Sequence, residues 1–267
     1  MTQRRAAAAG PIAALVFVVM TVAMAAADQQ YRVQGHDTFV IGDRDMRSEI
    51  SYRGTQTLRV RSDRGGRRYN ATVVYERNDQ GTITQARGSY ESTITPSGEQ
   101  RDGPNDDPDY LTILNQPFAV QLDAQTLHDL ARLSGSVPFD FPSPITGAPL
   151  HGKLRRAPDA IINGTRVLGV SFEASGPLHG TLPDHPEMSL SGTIVMLGTA
   201  YYTYADALLL GLDATLRIAG TVEGSTDHTA VSIVYARSIR AEAPVSTPAR
   251  SIDKTDSRTA LGTRPAM

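Results

Sequence analysis

The chain has 267 residues, a formal net charge of −2 and no cysteine. A charge this close to zero gives no global field that would recruit nucleic acid. The lack of cysteine excludes disulfides, thiolate metal sites and cysteine nucleophiles. Only Lys153 and Lys254 are lysines among 26 basic residues, a bias typical of a GC-rich bacterial genome.

Residues 1–27 have the pattern of an export signal. Arg4 and Arg5 precede an apolar run at 11–25, and small residues at 23–25 and 25–27 offer cleavage sites. The run is shorter than the roughly 20 residues that span a bilayer as a helix. We therefore expect a cleaved signal peptide and a periplasmic or secreted protein that contacts the membrane only through this segment. An uncleaved N-terminal anchor is the alternative.

Alternating apolar residues predict four strands in the first part of the mature chain. In the second strand, for example, Ile50, Tyr52, Leu58 and Val60 share one face. The fourth strand is polar at most positions, which favours an edge position in the sheet or a strongly curved strand. The predicted strands cover residues 31–41, 46–61, 69–75 and 83–94.

Residues 123–134 form the one convincing helix of the mature sequence. Asp123 is a good N-cap, and Leu122 before it and Leu127 after it fit a hydrophobic staple. Leu127 and Leu130 share a face, and Gly135 suits the left-handed position after the helix. So short a helix needs a sheet to pack on.

Two segments beside this helix predict irregular structure. Residues 96–109 contain Gly, Pro and Asp at most positions, and residues 136–149 carry four prolines. The second segment is the best candidate for a boundary inside an otherwise single domain at 28–240.

The C-terminal half has the stronger strand signals. Strands are predicted at residues 150–156, 166–174, 188–204, 207–219 and 229–239. The proline-containing residues 241–267 are expected to be disordered.

Strong catalytic signatures are absent from the sequence. No dinucleotide-binding glycine motif, phosphate-binding loop, zincin helix or nucleophile elbow occurs, so no catalytic residue and no cofactor is predicted. The acidic residues between Asp102 and Asp109 have oxygen ligands but no EF-hand spacing. His179, Asp184 and His185 crowd one short segment without tight ligand spacing. No metal site is therefore predicted, although both segments stay open as alternatives.

The candidate binding residues are apolar or aromatic. Leu127 and Leu130 on the helix, with Tyr202 and Tyr204 on a strand, are expected to line a cavity or its rim. A basic cluster is interpreted as a solvated outer face, with an anion site as the alternative. It comprises Arg59, Arg61, Arg64, Arg67 and Arg68.

The fold class expected is mainly β, with an antiparallel curved sheet or open barrel. The central helix is expected to cover the concave face of this sheet, with Leu133 among the residues that face it. Two small β-sandwiches divided at 136–149 are the alternative. The function expected is a non-catalytic cell-envelope binding or carrier protein for an apolar small molecule or lipid. A structural domain that pairs with an envelope protein through its sheet edges, and an envelope hydrolase or metalloprotein, are the rival hypotheses.

Overall fold

The computed structural model describes residues 28–42, 47–97, 99–132, 135–182, 185–224 and 228–242. These residues form eleven strands, one α-helix and two short helical turns. The strands are β1 (Gln29–Ile41), β2 (Arg47–Asp63), β3 (Gly66–Asp79), β4 (Thr82–Ile94), β5 (Gln100–Asp106), β6 (Ser136–Pro142), β7 (Pro149–Ile162), β8 (Thr165–Leu182), β9 (His185–Thr203), β10 (Leu209–Glu223) and β11 (His228–Ala241). The helix is α1 (Ala124–Arg132), preceded by a 3₁₀ turn (Ile113–Asn115) and a π-helical turn (Pro117–Gln121).

All eleven strands belong to one sheet, in the order β5-β4-β3-β2-β1-β11-β10-β9-β8-β7-β6. Every neighbouring pair is antiparallel. β1 and β11, the first and last strands along the chain, pair in the middle of the sheet, where Tyr31 lies opposite Ala241. The mainly antiparallel β prediction is therefore confirmed, and the two-sandwich alternative is wrong because strands on both sides of residue 136 share one sheet.

The sheet is strongly curved. Tyr69 on β3 and Tyr202 on β9 lie on strands five places apart, yet both donate to one short segment. The Tyr69 hydroxyl donates to the carbonyl of Thr112 at 2.7 Å, and the Tyr202 hydroxyl donates to that of Phe118 at 2.9 Å. The sheet thus wraps around this segment as an open barrel.

The segment inside the barrel is residues 107–122, which we call the plug. It connects β5 to α1, and every residue from 111 to 120 is buried. The sequence predicts that the helix covers the concave face: the plug fills this space, and α1, which follows the plug, is amphipathic and adds one buried side to the same core. Its Leu127 and Leu130 are buried, whereas Leu133 lies outside the described residues.

Nine of the strands overlap predicted ones, and the two edge strands do not. β5 lies within the predicted loop at 96–109, and its pairing with β4 means that β4 is not an edge as expected. β6 lies within the proline-rich segment at 136–149. Proline is tolerated in an edge strand at positions whose N–H would face away from the neighbouring strand. The prediction of irregular structure from the prolines is therefore wrong for residues 136–142, which form an edge strand.

The gap between the edge strands β5 and β6 is the seam. Ten antiparallel pairings separate these strands around the sheet, so the two strands run in the same direction and cannot pair antiparallel. The bond from the Ser143 amide to the Ala148 carbonyl (2.7 Å) continues the β6–β7 ladder. By alternation, Pro138 and Pro142 occupy positions whose backbone faces the seam. Proline has no N–H, so this edge of β6 lacks donors at both positions.

The predicted export signal at 1–27 lies outside the described residues. So does most of the predicted tail, although Ala241 is the last residue of β11. Within the described part of the chain, no helix is both long and apolar enough to cross a bilayer.

Candidate functional site

A cleft of about 590 Å³ opens at the seam, and we call it the seam cleft. Its walls come from the ends of β2 to β5, from the end of the plug and from β6. They are lined by Ser62, Gly66, Arg67, Ile94, Thr95, Pro96, Gln100, Val120, Gln121, Asp123, Phe139, Asp140 and Pro142. Small-molecule sites typically have volumes of about 300–1,000 Å³. The seam cleft is therefore large enough for a small ligand.

An aromatic row leads from the seam cleft into the core. The ring of Phe139, half-buried at the cleft, lies 5.3 Å from that of Phe141. Phe141 in turn lies 6.1 Å from Phe118 of the plug, whose ring is 4.0 Å from Phe172 on β8. Ile94 and Val120 add aliphatic surface to the same cleft. An apolar ligand in the cleft would contact the outer end of a row of tilted and edge-to-face rings.

Arg67 is the one arginine that lines the seam cleft. It sits two residues before the buried Tyr69 on β3, so its side chain points into the barrel rather than to the outer face. Its Nη2 donates to the plug carbonyls of Ala119 at 3.4 Å and Leu122 at 3.2 Å. Burial lowers the pKa of the Arg67 guanidinium, and nearby Asp123 opposes that shift.

The two carboxylates at the seam cleft already have partners. Asp123 caps α1, where its Oδ1 accepts from the Thr126 amide at 2.7 Å. Asp140 points outward from β6, and its Oδ1 lies 3.2 Å from Nδ1 of His151. Neither carboxylate therefore depends on a ligand for a hydrogen-bond partner.

Asp107 fixes the start of the plug. Its buried carboxylate accepts from the amides of Leu111 at 3.2 Å and Thr112 at 2.6 Å. Gly88 on β4 makes room for this arrangement, because a Cβ there would lie 2.8 Å from Asp107 Oδ1. The acid in the predicted loop is thus used to hold the plug rather than to bind a cation.

Asp109 ties the plug to the barrel wall. Its carboxylate accepts from the hydroxyls of Tyr52, at 3.0 Å, and Tyr75. Its carbonyl accepts from Nη2 of Arg237 at 2.6 Å, and Arg237 also forms a fully buried ion pair with Asp37 of β1. Burial raises the pKa of Asp37, with Arg237 acting in the opposite direction. Burial and the nearby carboxylates also raise the pKa values of both tyrosines.

The four predicted binding residues lie apart from the seam cleft. Leu127, Leu130 and Tyr202 are buried in the core, with Tyr202 bonded to the plug. Tyr204 follows the end of β9, is half exposed and donates to Asp159 Oδ2 at 2.8 Å. The structure therefore brings Tyr202 against the plug but places Tyr204 on the outer surface.

The other candidates from the sequence are mostly dispersed. In the basic cluster, Arg59 pairs with Asp28, and Arg61 lies directly opposite Arg68 on the outer face. His179 is exposed; Asp184 and the side chain of His185 lie outside what the structure describes. Among the described residues, no group of three or more His, Asp or Glu side chains is arranged to hold a metal ion.

A second depression, of about 910 Å³, lies at the C-terminal end of α1. Its lining is mainly polar backbone and arginine, including Arg132 and Arg155. The lining also includes Arg156, which donates to the carbonyl of Ala131 at 2.7 Å and to Asp159 at 3.4 Å. This depression lacks the aromatic and aliphatic wall of the seam cleft and is the weaker candidate for an apolar ligand.

The sequence interpretation missed Arg67 and Phe139 as site residues. Arg67 was grouped with outward-facing arginines, although its spacing from Tyr69, Ala71 and Val73 is the signal of an inward position. Phe139 lay in a segment expected to be irregular. No signal in the sequence indicated that the two edges would meet at one cleft.

Comparison with known proteins adds no further assignment. No family model matches the chain, and no characterised protein matches it in a sequence search.

Proposed function

We propose that the protein is an exported, non-catalytic binding or carrier protein that holds a small apolar or amphiphilic molecule in the seam cleft. The observation that carries this proposal is the cleft itself, with half-buried Phe139 at the end of an aromatic row. The export part of the proposal rests on the pattern of residues 1–27.

The arrangement favours binding over catalysis. Among the described residues, those that line the seam cleft include the hydroxyls of Ser62 and Thr95 but no histidine. A hydroxyl nucleophile needs an adjacent base. Asp123, one of the two carboxylates at the cleft, accepts a hydrogen bond as the cap of α1.

The arrangement also favours a ligand over a partner strand. Pairing through a sheet edge needs a regular row of backbone donors and acceptors. Pro138 and Pro142 remove two donors from the seam side of β6, and Pro104 lies within β5 where its pairing with β4 is irregular. These prolines argue against the rival proposal of a domain that assembles through its edges.

The absence of tryptophan from the chain makes a direct test available. A Phe139→Trp variant has one indole, placed at the seam cleft, and an Ile161→Trp variant has one on the outer face, where Ile161 is 76% exposed. Titration with decanol should shift the emission of the Phe139→Trp protein to the blue in a saturable manner. The Ile161→Trp protein should not respond.

A Phe139→Trp protein that shows no saturable change with decanol would contradict the proposal. A similar response from both reporters would also contradict it, since it would indicate non-specific adsorption. Native mass spectrometry of the unmodified protein with decanol checks the stoichiometry, which we expect to be one.

A further inference from the structure

Arg67 has hydrogen-bonding capacity that the protein itself does not use. A guanidinium carries five N–H donors on three nitrogens. Nη2 contacts the carbonyls of Ala119 and Leu122, whereas Nε and Nη1 have no hydrogen-bond partner among the described residues. Neither atom is among the fully enclosed polar atoms that lack a partner, so both are accessible to solvent, and Arg67 is one of the residues that line the seam cleft.

The charges around Arg67 distinguish it from the other polar groups of the cleft. Asp123 and Asp140 are already engaged, by the Thr126 amide and by His151. The guanidinium is thus the cationic group of the cleft, and two of its three nitrogens have no partner among the described residues. It is also half-buried, and partial exclusion of water strengthens an ion pair formed there relative to one on the surface.

The apolar wall lies in the same cleft. Ile94, Val120 and Phe139 line it together with Arg67, so one molecule can contact both kinds of surface. The free donors on Nε and Nη1 of Arg67 are each able to bind an oxygen of an acid group, and the whole guanidinium carries the positive charge that attracts it.

We infer that the ligand of the seam cleft is an anionic amphiphile whose carboxylate or phosphate head is bound by free N–H donors of the Arg67 guanidinium, with its apolar chain against Phe139. This inference rests on the proposed function and names the ligand class for the same cleft.

Isothermal calorimetry on the wild-type chain tests the head group with four probes of equal chain length, each below its micelle concentration. The probes are decanoate, decyl phosphate, decanol and decyltrimethylammonium. We expect at least one anionic probe to bind at least about tenfold more tightly than decanol, since a hydrogen bond to a charged group contributes about 1.5–3 kcal/mol. Which of the two anions binds more tightly identifies the head group.

Matched variants locate the effect. In Arg67→Gln, the anionic probes should fall to the affinity of decanol, whereas Arg68→Gln, the neighbouring arginine on the outer face, should retain the preference. Arg67 also holds plug carbonyls, so circular dichroism must show that the variant is folded. If Arg67→Gln does not fold, Arg67→Lys serves instead: its ammonium group can still donate to the plug carbonyls but then has fewer donors left for a ligand, so the preference for the anions should fall.

The outcomes separate this inference from the proposed function. Binding of decanol without any preference for the anions overturns the inference and leaves the binding proposal standing. An equal loss of preference in Arg67→Gln and Arg68→Gln also overturns it, because it indicates a diffuse positive surface. Failure of all four probes to bind overturns both.

Discussion

The ion pair between Arg237 and Asp37 is enclosed at the centre of the sheet. The side chains are 0% and 1% exposed, and the guanidinium lies between the rings of Tyr52, at 5.2 Å, and Tyr235, at 5.5 Å. Such a pair adds little net stability, but the loss of one partner leaves a buried charge uncompensated. The pair therefore specifies which strands meet and where the Asp109 carbonyl of the plug is placed.

Replacement of Arg237 by Met should destabilise the fold by about 3–5 kcal/mol, the typical cost of breaking a buried pair. Burial raises the pKa of Asp37, and the loss of the cation should raise it further. A raised carboxyl pKa means that stability falls as the pH rises through that pKa. The deficit of the variant should therefore be largest at neutral pH and shrink as the pH is lowered toward 4. Urea unfolding at several pH values measures this.

The double variant Asp37→Asn with Arg237→Met is the control for this prediction. Removal of both charges should cost less than the removal of Arg237 alone. An equal or larger loss in the double variant would show that the packing of the Arg237 side chain, rather than its charge, matters.

Gly88 tests how the plug is anchored. Alanine there places a Cβ 2.8 Å from Asp107 Oδ1 and 3.1 Å from the Asp106 carbonyl, so Asp107 must move and its bonds to the plug amides weaken. We expect Gly88→Ala to cost about 1–3 kcal/mol, the range for overpacking. In Gly180→Ala on β8, the added Cβ meets nothing within 4 Å. This substitution should therefore leave the free energy of unfolding nearly unchanged. Equal urea midpoints for the two variants would contradict this account.

At the scale of single elements, α1 depends on its N-cap. Asp123→Ala should cost about 1 kcal/mol, the usual value of a cap, while Asp123→Ser should retain most of it because serine also accepts from the first-turn amides. Burial works to raise the pKa of Asp123, but the Thr126 hydrogen bond and Arg67 prevail and lower it from 3.8.

Because the folded pKa lies below the unfolded one, the charged Asp123 stabilises the folded state above the unfolded value of 3.8, and this stabilisation is lost as the pH falls through the lower folded value. The difference between wild type and Asp123→Ala should therefore hold at neutral pH and shrink progressively below the ordinary Asp pKa of 3.8. Chemical unfolding over a pH series from 7 down to 2 checks this. A difference that does not shrink anywhere in the series would mean that the carboxylate charge is not its source.

The prolines of β6 protect the open edge. Replacement of Pro138 and Pro142 by threonine supplies two N–H donors on the seam side, so we expect the double variant to self-associate through this edge. Ser136→Thr on the same strand adds β-propensity without a donor and should stay at the wild-type size. Light scattering across a concentration series compares them, and identical sizes would show that the plug and cleft, not the prolines, block the edge.

Sequence patterns identified the elements that follow a regular period. Ile50, Tyr52 and Leu58 alternate as an amphipathic strand must, and Asp123 caps the helix as its position indicates. The plug shows no regular alternation of apolar and polar residues, because a segment that is buried on all sides has no polar face. The seam cleft depends on the curvature that brings Arg67 near Phe139, and alternation along single strands does not determine that curvature.

At the scale of the whole molecule, the described ends of the chain meet where the sheet is continuous. The Glu242 amide donates to the Gln30 carbonyl at 2.8 Å. In a circularly permuted chain, a short linker joins residue 242 to residue 28, and the new first residue lies between Arg132 and Gly135. This chain should keep the same sheet, because the new ends fall at the edges of the sheet.

A second permuted chain with the same linker, opened within the Thr112–Gln116 part of the plug, is the matched control. The cut interrupts ten successive buried residues, so this protein should not fold stably. Far-ultraviolet circular dichroism and thermal unfolding distinguish the two. If both chains unfold at the same temperature, the plug is not required for the barrel.

The pairing of β1 with β11 also bears on synthesis. Asp37 and Arg237 are separated by 200 positions, so the first strand leaves the ribosome long before its second neighbour exists. Until β11 has been synthesised, β1 has one hydrogen-bonding side open and a carboxylate without its cation. A nascent chain in this state gains little from partial folding, which agrees with the proposal that the protein is exported.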